Sequence, residues 1–443
     1  MAASRDKMSP QQSLLLIDFL IVLYALAYQL QVPLEPYLVD TLAKGTGGTA
    51  GAAAQYASLQ SFFGLVQCIG SILVGYLVDR FGLRLMLLLN FAACAASYAL
   101  LASATSMPWL YASKLPTLFM AGYLCAQTAV STLTAPGAER MAQLGLLTTA
   151  YTLGATVGPS LGGYLGTQAA AQLAVAVSVA AGAIVLALPA GALAAPRSEP
   201  RAPAPAPAPA PTTSWRSRAW LALSLAWPLL ATKIAAGLVN SAMTTARNLA
   251  LKNVFALTAA QLGLIMSCIS LGTALASLGL GRLTALLGAE AGVVRACLLG
   301  MAAVLACQAA FFVAFAGAAA PPAPMYVGLS LLLALCQYPL STTLTALSTA
   351  RVPLHARGTL MGLEHALFSL AFMAGPVVGV RMLAAGGMQA MAGAAAAVYA
   401  ALLVAWSQGG GVEPSGEPVE GSGGSEKAVR RVARRGSSAH KGH

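Results

Sequence analysis

Charge is the scarcest resource in this chain. Asp, Glu, Lys and Arg make up 9% of its 443 residues, and only 13 of those residues are acids. Four histidines add little. No catalytic pair with a third orienting group, no phosphate-cradling glycine loop and no metal-ligand spacing occurs, which disfavours enzymatic chemistry and ATP-driven pumping. No cofactor is expected. The seven cysteines, Cys68, Cys94, Cys125, Cys268, Cys297, Cys307 and Cys336, all fall in apolar segments without paired spacing. That pattern excludes a disulfide framework and a metal site and leaves small core residues.

Apolarity is abundant instead. Hydrophobic residues reach 58% and the mean hydropathy is +0.74, which no soluble globule shows. A membrane crossing needs roughly 20 mostly apolar residues. The chain offers twelve such runs, near 13–32, 53–78, 84–104, 108–133, 143–166, 170–192, 227–248, 259–285, 291–316, 325–349, 359–382 and 387–407. The first follows Arg5 and Lys7, lacks a small-residue cleavage site and continues to Val32, so a retained helix is expected. The organisation predicted is a cytosolic N-terminus over 1–12, a six-helix bundle over 13–192, a linker over 193–226, a second bundle over 227–407 and a basic tail over 408–443. Within the linker, the alternation of Ala and Pro up to Pro211 favours an extended spacer of about 3.1 Å per residue. The tail, rich in Gly, Ser, Glu and bases, is expected to be disordered.

The net charge of +12 orients the chain; it does not point to nucleic acid. On the twelve-helix plan Lys44, Arg247, Lys252 and Arg381 fall on one side, and Lys114 and Lys233 within helices. The remaining Lys and Arg, of 25 in all, lie on the other side with both ends of the chain. That asymmetry places both termini in the cytosol. Arg430, Arg431, Arg434 and Arg435 suit anionic lipid headgroups there.

The halves repeat one another. Residues 53–82 align with 259–288 at a shift of 206, pairing Gln55 with Gln261, Ser61 with Ser267, Gly75 with Gly281 and Gly82 with Gly288. At a shift of 217, Gly145, Gly158-Pro159 and Gly162 are echoed by Gly362, Gly375-Pro376 and Gly379. The echo is incomplete, with Ala371 for Gly154, Val380 for Gly163 and Ala285 for Asp79. Paired six-helix repeats with a solute site near the midplane are the architecture of alternating access.

The densest motif is Gly145, Gly154, Gly158-Pro159 and Gly162-Gly163. Gly154, Gly158 and Gly162 share one helix face, and in lipid such a face admits a neighbouring backbone closely. Pro159 predicts a bend. A bent, close-packed seam suits a gate between two moving bundles. A second motif runs from Gly75 through Asp79, Arg80 and Gly82 to Arg84. Together these resemble the helix 5 antiporter motif and the loop between helices 2 and 3 of drug:proton antiporters in the major facilitator superfamily. A closer likeness, to the organic cation transporter-like branch of solute carrier family 22, rests on Ser113-Lys114-Leu115-Pro116, Leu144-Gly145-Leu146 and Thr232-Lys233-Ile234-Ala235. The resemblance implies an all-α membrane protein, with twelve transmembrane helices in two six-helix repeats. In that family the fourth helix often carries an arginine; here Lys114 stands.

Ionisable groups within the helices are few: Asp18, Lys114, Lys233, Glu364 and His365. Charge is costly in hydrocarbon, so each is expected to face a cavity or a partner. Glu364 and His365 are neighbours and point about 100° apart on a helix. Either is a candidate proton carrier, as is Asp18. Asp79, beside Arg80, is expected to meet the positive N-terminal end of helix 11 near Arg357–Thr359 when an inner gate closes. Tyr24, Tyr28 and Gln31 recur at helical spacing and suit either a cavity wall that stacks on a planar or cationic solute, or plain packing. Glu35 lies at the outer mouth and is expected to be solvated. The function expected is a monomeric secondary transporter in contact with membrane lipids, exporting small organic, cationic or amphipathic solutes in exchange for protons. Uniport, import, or a receptor that binds solute without moving it are the alternatives.

Overall fold

A computed structural model describes residues 9–43, 48–134, 138–189, 215–288, 290–317, 321–352 and 354–408. Arg5, Lys7, Lys44, the Ala-Pro linker and the tail bases lie outside the described residues, as do the side chains of Asp79 and of Arg357–Thr359. The described residues are helical or in short turns, with no strand among them.

The first six crossings are built from α1 (Pro10–Gln31), with the short α2 (Glu35–Leu42) continuing it, α3 (Gly48–Phe81), α4 (Leu83–Ala102), α5 (Met107–Lys114), α6 (Gly122–Leu133), α7 (Ala138–Leu165) and α8 (Thr167–Ala187). The next six are α9 (Trp215–Asn253), α10 (Ala259–Leu286), α11 (Glu290–Ala314), α12 (Ala323–Arg351) and the two arms of α13 (Leu354–Gln408). Those arms meet where Gly386 and Gly387 leave helical geometry, Gly387 at φ +67°. Ser9 and Gln12 start α1 with reciprocal side-chain-to-backbone bonds, satisfying donors the helix leaves orphaned.

Among the described residues nine helical stretches are long and apolar enough to cross a membrane, the two arms of α13 counting as one. The other crossings are α7 and the broken passage through α5 and α6. In α7, Thr148, Thr149, Thr152 and Thr156 return their hydroxyls to the carbonyls of Leu144, Gly145, Thr148 and Thr152 at 2.8–3.0 Å. A polar sequence thereby satisfies itself without water. The passage expected as one helix over 108–133 is interrupted after Lys114 by a 3₁₀ segment, Leu115–Phe119, that begins on Pro116. Gln67 of α3 donates to the Thr117 carbonyl at 3.2 Å, covering an acceptor that the break exposes.

Helix α9 begins before the expected residue 227 and ends after the expected 248. Apolarity marks only the hydrocarbon-crossing part of a helix, and this helix extends beyond its apolar run at both ends. The extension draws Lys252 into the helix; Arg247 already fell at the end of the expected span. Outward-facing Leu65, Ile69, Ile72, Leu153 and Val157 are exposed and form part of the lipid-facing surface.

The glycine seam faces a different neighbour from the one expected. A Cβ added at Gly154 would come within 2.6 Å of the Val22 carbonyl oxygen and 2.7 Å of Ala25 Cβ, and one at Gly158 within 2.6 Å of Gln29 Cβ. At Gly162 it would press into the Leu30 carbonyl. All of these partners belong to α1, so the seam fastens two helices of the same half. Contact across the halves comes from the adjoining face of α7: Gly163 abuts Ala259 of α10, and Gly263 of α10 abuts the Pro159 carbonyl. Gly145 and Gly75 meet nothing.

The second half repeats this docking. Gly375 packs on Ser241, and a Cβ added at Gly379 would come within 2.6 Å of the Ala242 carbonyl oxygen, both on α9. Gly158 on Gln29 and Gly162 on Leu30 therefore map to Gly375 on Ser241 and Gly379 on Ala242, with α1 repeated by α9 at a shift of 212. On that register Ala25 corresponds to Gly237, and a Cβ added at Gly237 would lie 3.7 Å from Ala371 Cβ. Glycine at 154 against alanine at 25 has become alanine at 371 against glycine at 237. The small residue has changed helix and the approach there is looser: a Cβ at Gly237 would meet Ala371 at ordinary contact distance, whereas one at Gly154 would clash with Ala25. Gly82 and Gly288, also repeat partners, share φ values of +82° and +77° at helix ends.

The swap can be tested by moving it into the first half. Gly154→Ala is expected to lower stability by about 1–3 kcal/mol through overpacking, whereas Val157→Leu on the exposed face is nearly silent. Combining Gly154→Ala with Ala25→Gly is expected to recover about 1 kcal/mol in a double-mutant cycle read by thermal unfolding in detergent. Strict additivity would mean that the α1 backbone, and not the methyl contact, sets the spacing.

Candidate functional site

Where the halves face each other they enclose a cavity of about 580 Å³. Tyr24 and Tyr28, one turn apart on α1, join Phe63 and Gln67 of α3 and Tyr123 and Tyr151 on one side. Across from them stand Thr244, Arg247 and Asn248, at i, i+3 and i+4 on α9, with Phe368 and Phe372 of α13. The rings brace one another: Tyr28 stacks on Phe63 with centroids 6.1 Å apart, and Tyr123 meets Tyr151 edge-on at 5.6 Å. Tyr24 donates to the Met120 carbonyl at 3.3 Å, so its ring is held by the end of the 3₁₀ segment. The volume is that of a small organic molecule, and walls of aromatic rings with a few polar groups are typical of such sites.

A smaller annex of about 80 Å³ shares Tyr28, Val32 and Phe63 with this cavity and ends at Gln31, Glu35 and Lys114. Glu35 is 6% exposed, not solvated as expected. It pairs with Lys114 and accepts from Gln60. The reason lies in α2: after a short turn the chain re-enters helix at Glu35, turning the carboxylate inward, while the break after α5 points Lys114 at it. Lys114 Nζ also lies 5.5 Å from the Phe63 ring centroid.

A second pair occupies the other half. Lys233 of α9 binds Glu364 of α13 and donates to Thr345 at 2.6 Å, and Ser348 donates to Glu364 at 2.6 Å. Glu364 is buried, whereas His365 lines the cavity and is exposed. Their divergence is the one expected of adjacent helical residues. Asp18 stands apart, half-buried, with Gln143 of α7 donating to it at 3.0 Å. No group of three potential metal ligands occurs among the described residues.

Polar contacts between the halves gather at the end where α1 finishes. Tyr37 donates to the Leu257 carbonyl at 2.5 Å. Lys252 reaches Asp40 at 3.1 Å and the Pro36 carbonyl at 2.9 Å, with its ammonium 5.4 Å from the Tyr37 ring centroid. Below them the Ser160 N–H donates to Ser267 Oγ at 3.0 Å. At the opposite end, Gly82 takes the positive φ that its motif position requires, and Arg84 donates to the Leu186 carbonyl at 2.8 Å, tying that loop to α8.

Of the residues singled out from the sequence, Tyr24, Tyr28 and His365 line the main cavity, Gln31 and Lys114 the annex, and Lys233 and Glu364 form a pair nearby. Arg247 was counted with the charges of one membrane side and instead lines the cavity. Its signal was present in the stripe Asn240, Thr244, Arg247 and Asn248, a polar face at helical spacing.

The buried pair in the annex permits a stability test. Glu35→Gln, which strands the buried Lys114, is expected to cost about 3–5 kcal/mol. Adding Lys114→Met should return most of the loss in thermal unfolding. If Glu35→Gln alone is silent, Lys114 finds other solvation.

Comparison with known proteins extends these findings. The pattern of the Major Facilitator Superfamily matches residues 17–249 and again 229–436. Solute carrier family 22 member 18 of Mus musculus is 31% identical over 151 residues, 33% of this chain and 35% of that protein. Solute carrier family 67 member A1 of Homo sapiens is 37% identical over 130 residues, 28% of this chain and 29% of that protein. The chain thus matches about a third of the length of these curated relatives. Among solved structures, the human organic anion transporter MFSD10 (TETRAN) aligns with a TM-score of 0.65 at 20% identity, covering 89% of this chain and 99% of that one. A POT family transporter in complex with 5-aminolevulinic acid gives 0.68 at 13%, covering 89% and 95%. At those identities the likeness is one of fold. Matched through both halves, the chain belongs to the Major Facilitator Superfamily and is a multi-pass membrane protein.

Proposed function

We propose that this protein is a secondary transporter that moves small amphipathic organic solutes by alternating access in exchange for protons. The observation that carries the proposal is the solute-sized cavity lined from both halves, together with the Lys233–Glu364 pair, whose carboxylate is buried. The two bundles rock about the α7–α10 contact, with the termini and the linker that precedes α9 in the cytosol. Such a cycle needs an equilibrium between two facing states that ligands bias. Contacts through Lys252, Tyr37 and Ser160 hold one end shut, and access runs from the other. Asp79 and the Gly75–Arg84 loop would latch that second end in the alternate state.

In this scheme the proton site is Glu364. Protonation removes the charge that holds Lys233 and weakens the bond that Ser348 donates to the carboxylate, leaving Lys233 with Thr345. The pair links α9 to α13, both of which also line the cavity, so its breaking is felt at the solute. Export follows if solute leaves as protons enter. The two like segments named above, from solute carriers, favour a solute cargo in general terms.

Flux in proteoliposomes with an imposed pH gradient tests this. Flux that reverses with the gradient supports antiport. Gradient-independent flux supports uniport, and saturable binding without flux a receptor. Glu364→Gln is expected to abolish acceleration by the gradient while keeping exchange at equal pH within about twofold of wild type, since one unit of lost coupling alone is about tenfold. The double variant Glu364→Gln with Lys233→Gln, which leaves no charge unpaired, should behave alike. If Glu364→Gln keeps its gradient response and Asp18→Asn loses it, coupling belongs to α1.

A further inference from the structure

We infer that the transported solute carries a negative charge and that Arg247 receives it. The inference rests on the transport reading and adds the class of solute.

Arg247 sits on the transmembrane helix α9 and lines the main cavity. Its guanidinium remains charged at any relevant pH, and a charge drawn out of water needs a partner. The three lysines of the core each have one. Lys114 pairs with Glu35, Lys233 with Glu364, and Lys252 with Asp40. Asp18 in turn is engaged by Gln143. Among the described residues no ion pair includes Arg247, and no Asp or Glu lines the main cavity. Its neighbours there are neutral: Thr244 and Asn248 on its own helix, Tyr28 and Gln67 across the space. The walls therefore present one fixed positive charge and no acid.

The repeat register sharpens the contrast. At the shift of 212 that maps α1 onto α9, Arg247 corresponds to Glu35. The first half carries an acid at this position and supplies a lysine to neutralise it; the second carries a base and supplies nothing. A solute anion completes the arrangement.

Aromatic walls by themselves also suit a cation, which is drawn to ring faces. In a low-dielectric cavity, however, a cationic solute meets the full repulsion of Arg247, and direct charge–charge interaction outweighs attraction to a ring quadrupole. An anion with an apolar or aryl body satisfies both features at once. Its carboxylate or sulfonate takes the guanidinium in two parallel hydrogen bonds, while its body stacks between Tyr28 and Phe372.

Three probes of one shape decide the matter: naphthoate, naphthamide and naphthylmethylammonium. Binding is measured on detergent-solubilised full-length protein, and counterflow in proteoliposomes. Wild type is expected to bind naphthoate at least about tenfold more tightly than naphthamide, as a charge-assisted hydrogen bond provides, and naphthylmethylammonium most weakly. Arg247→Gln should erase the preference for naphthoate over naphthamide, and Arg247→Lys should keep part of it. Naphthamide, which offers no charge to Arg247, reports that the site in each variant is folded. The inference is overturned if naphthylmethylammonium binds more tightly than naphthoate, if the preference survives Arg247→Gln, or if wild type binds no naphthoate. Saturable, Arg247-dependent naphthoate binding without counterflow would support the anion site while sinking the transport reading, so the two failures are distinguishable.

Discussion

A charge inside the hydrocarbon layer must find a partner, and the interior of this protein is arranged around that requirement. Nothing there can lean on water, so each ionised side chain either meets an opposite one or faces a cavity that a solute or water can enter. Lys114 and Glu35 come from elements far apart in the sequence, brought together by a broken helix on one side and a helix restart on the other. Lys233 and Glu364 tie two helices that both reach the cavity. With those pairs closed on themselves, the remaining cavity charge on Arg247 stands out by its chemistry alone.

Close packing sets the second condition. Without a hydrophobic drive between helices, association in lipid depends on how near two backbones can come. Gly158 and Gly162 bring α7 against α1, and Gly375 and Gly379 bring α13 against α9. Each half is thus stiffened internally by glycine. The face between halves, from Pro159 through Gly163 against α10, uses small residues too but adds few polar bonds, Ser160 to Ser267 being one. Rigid halves with a lightly bonded joint are what a rocking motion needs.

Much of the fold was legible because apolar runs of spanning length carry a strong signal, as did the repeat that pairs Gly82 with Gly288. The seam glycines were legible as a close-packed face, but not the helix they pack on, since spacing within one helix says nothing of its neighbour. Glu35 was misplaced because a carboxylate just beyond an apolar run looks solvated until its lysine, many residues on, is brought alongside. Arg247 was misread for a related reason: a base near the end of an apolar run reads as a charge of the membrane rim until the opposing half is seen to share a cavity with it. The broken passage at Leu115–Phe119 hid behind a continuous apolar run, with Pro116 the only local hint.

The contacts at the closed end have a consequence for the medium that bathes it. Lys252 is shielded, with its side chain 10% exposed, but its partner Asp40 is 46% exposed. Dissolved ions therefore reach one member of that bridge and screen it over a Debye length of about 8 Å at physiological ionic strength. Lys114 and Glu35, at 4% and 8%, are beyond their reach. Added salt weakens this bridge between the halves and leaves the internal ion pair untouched, so ionic strength acts on the joint without acting on the integrity of either bundle.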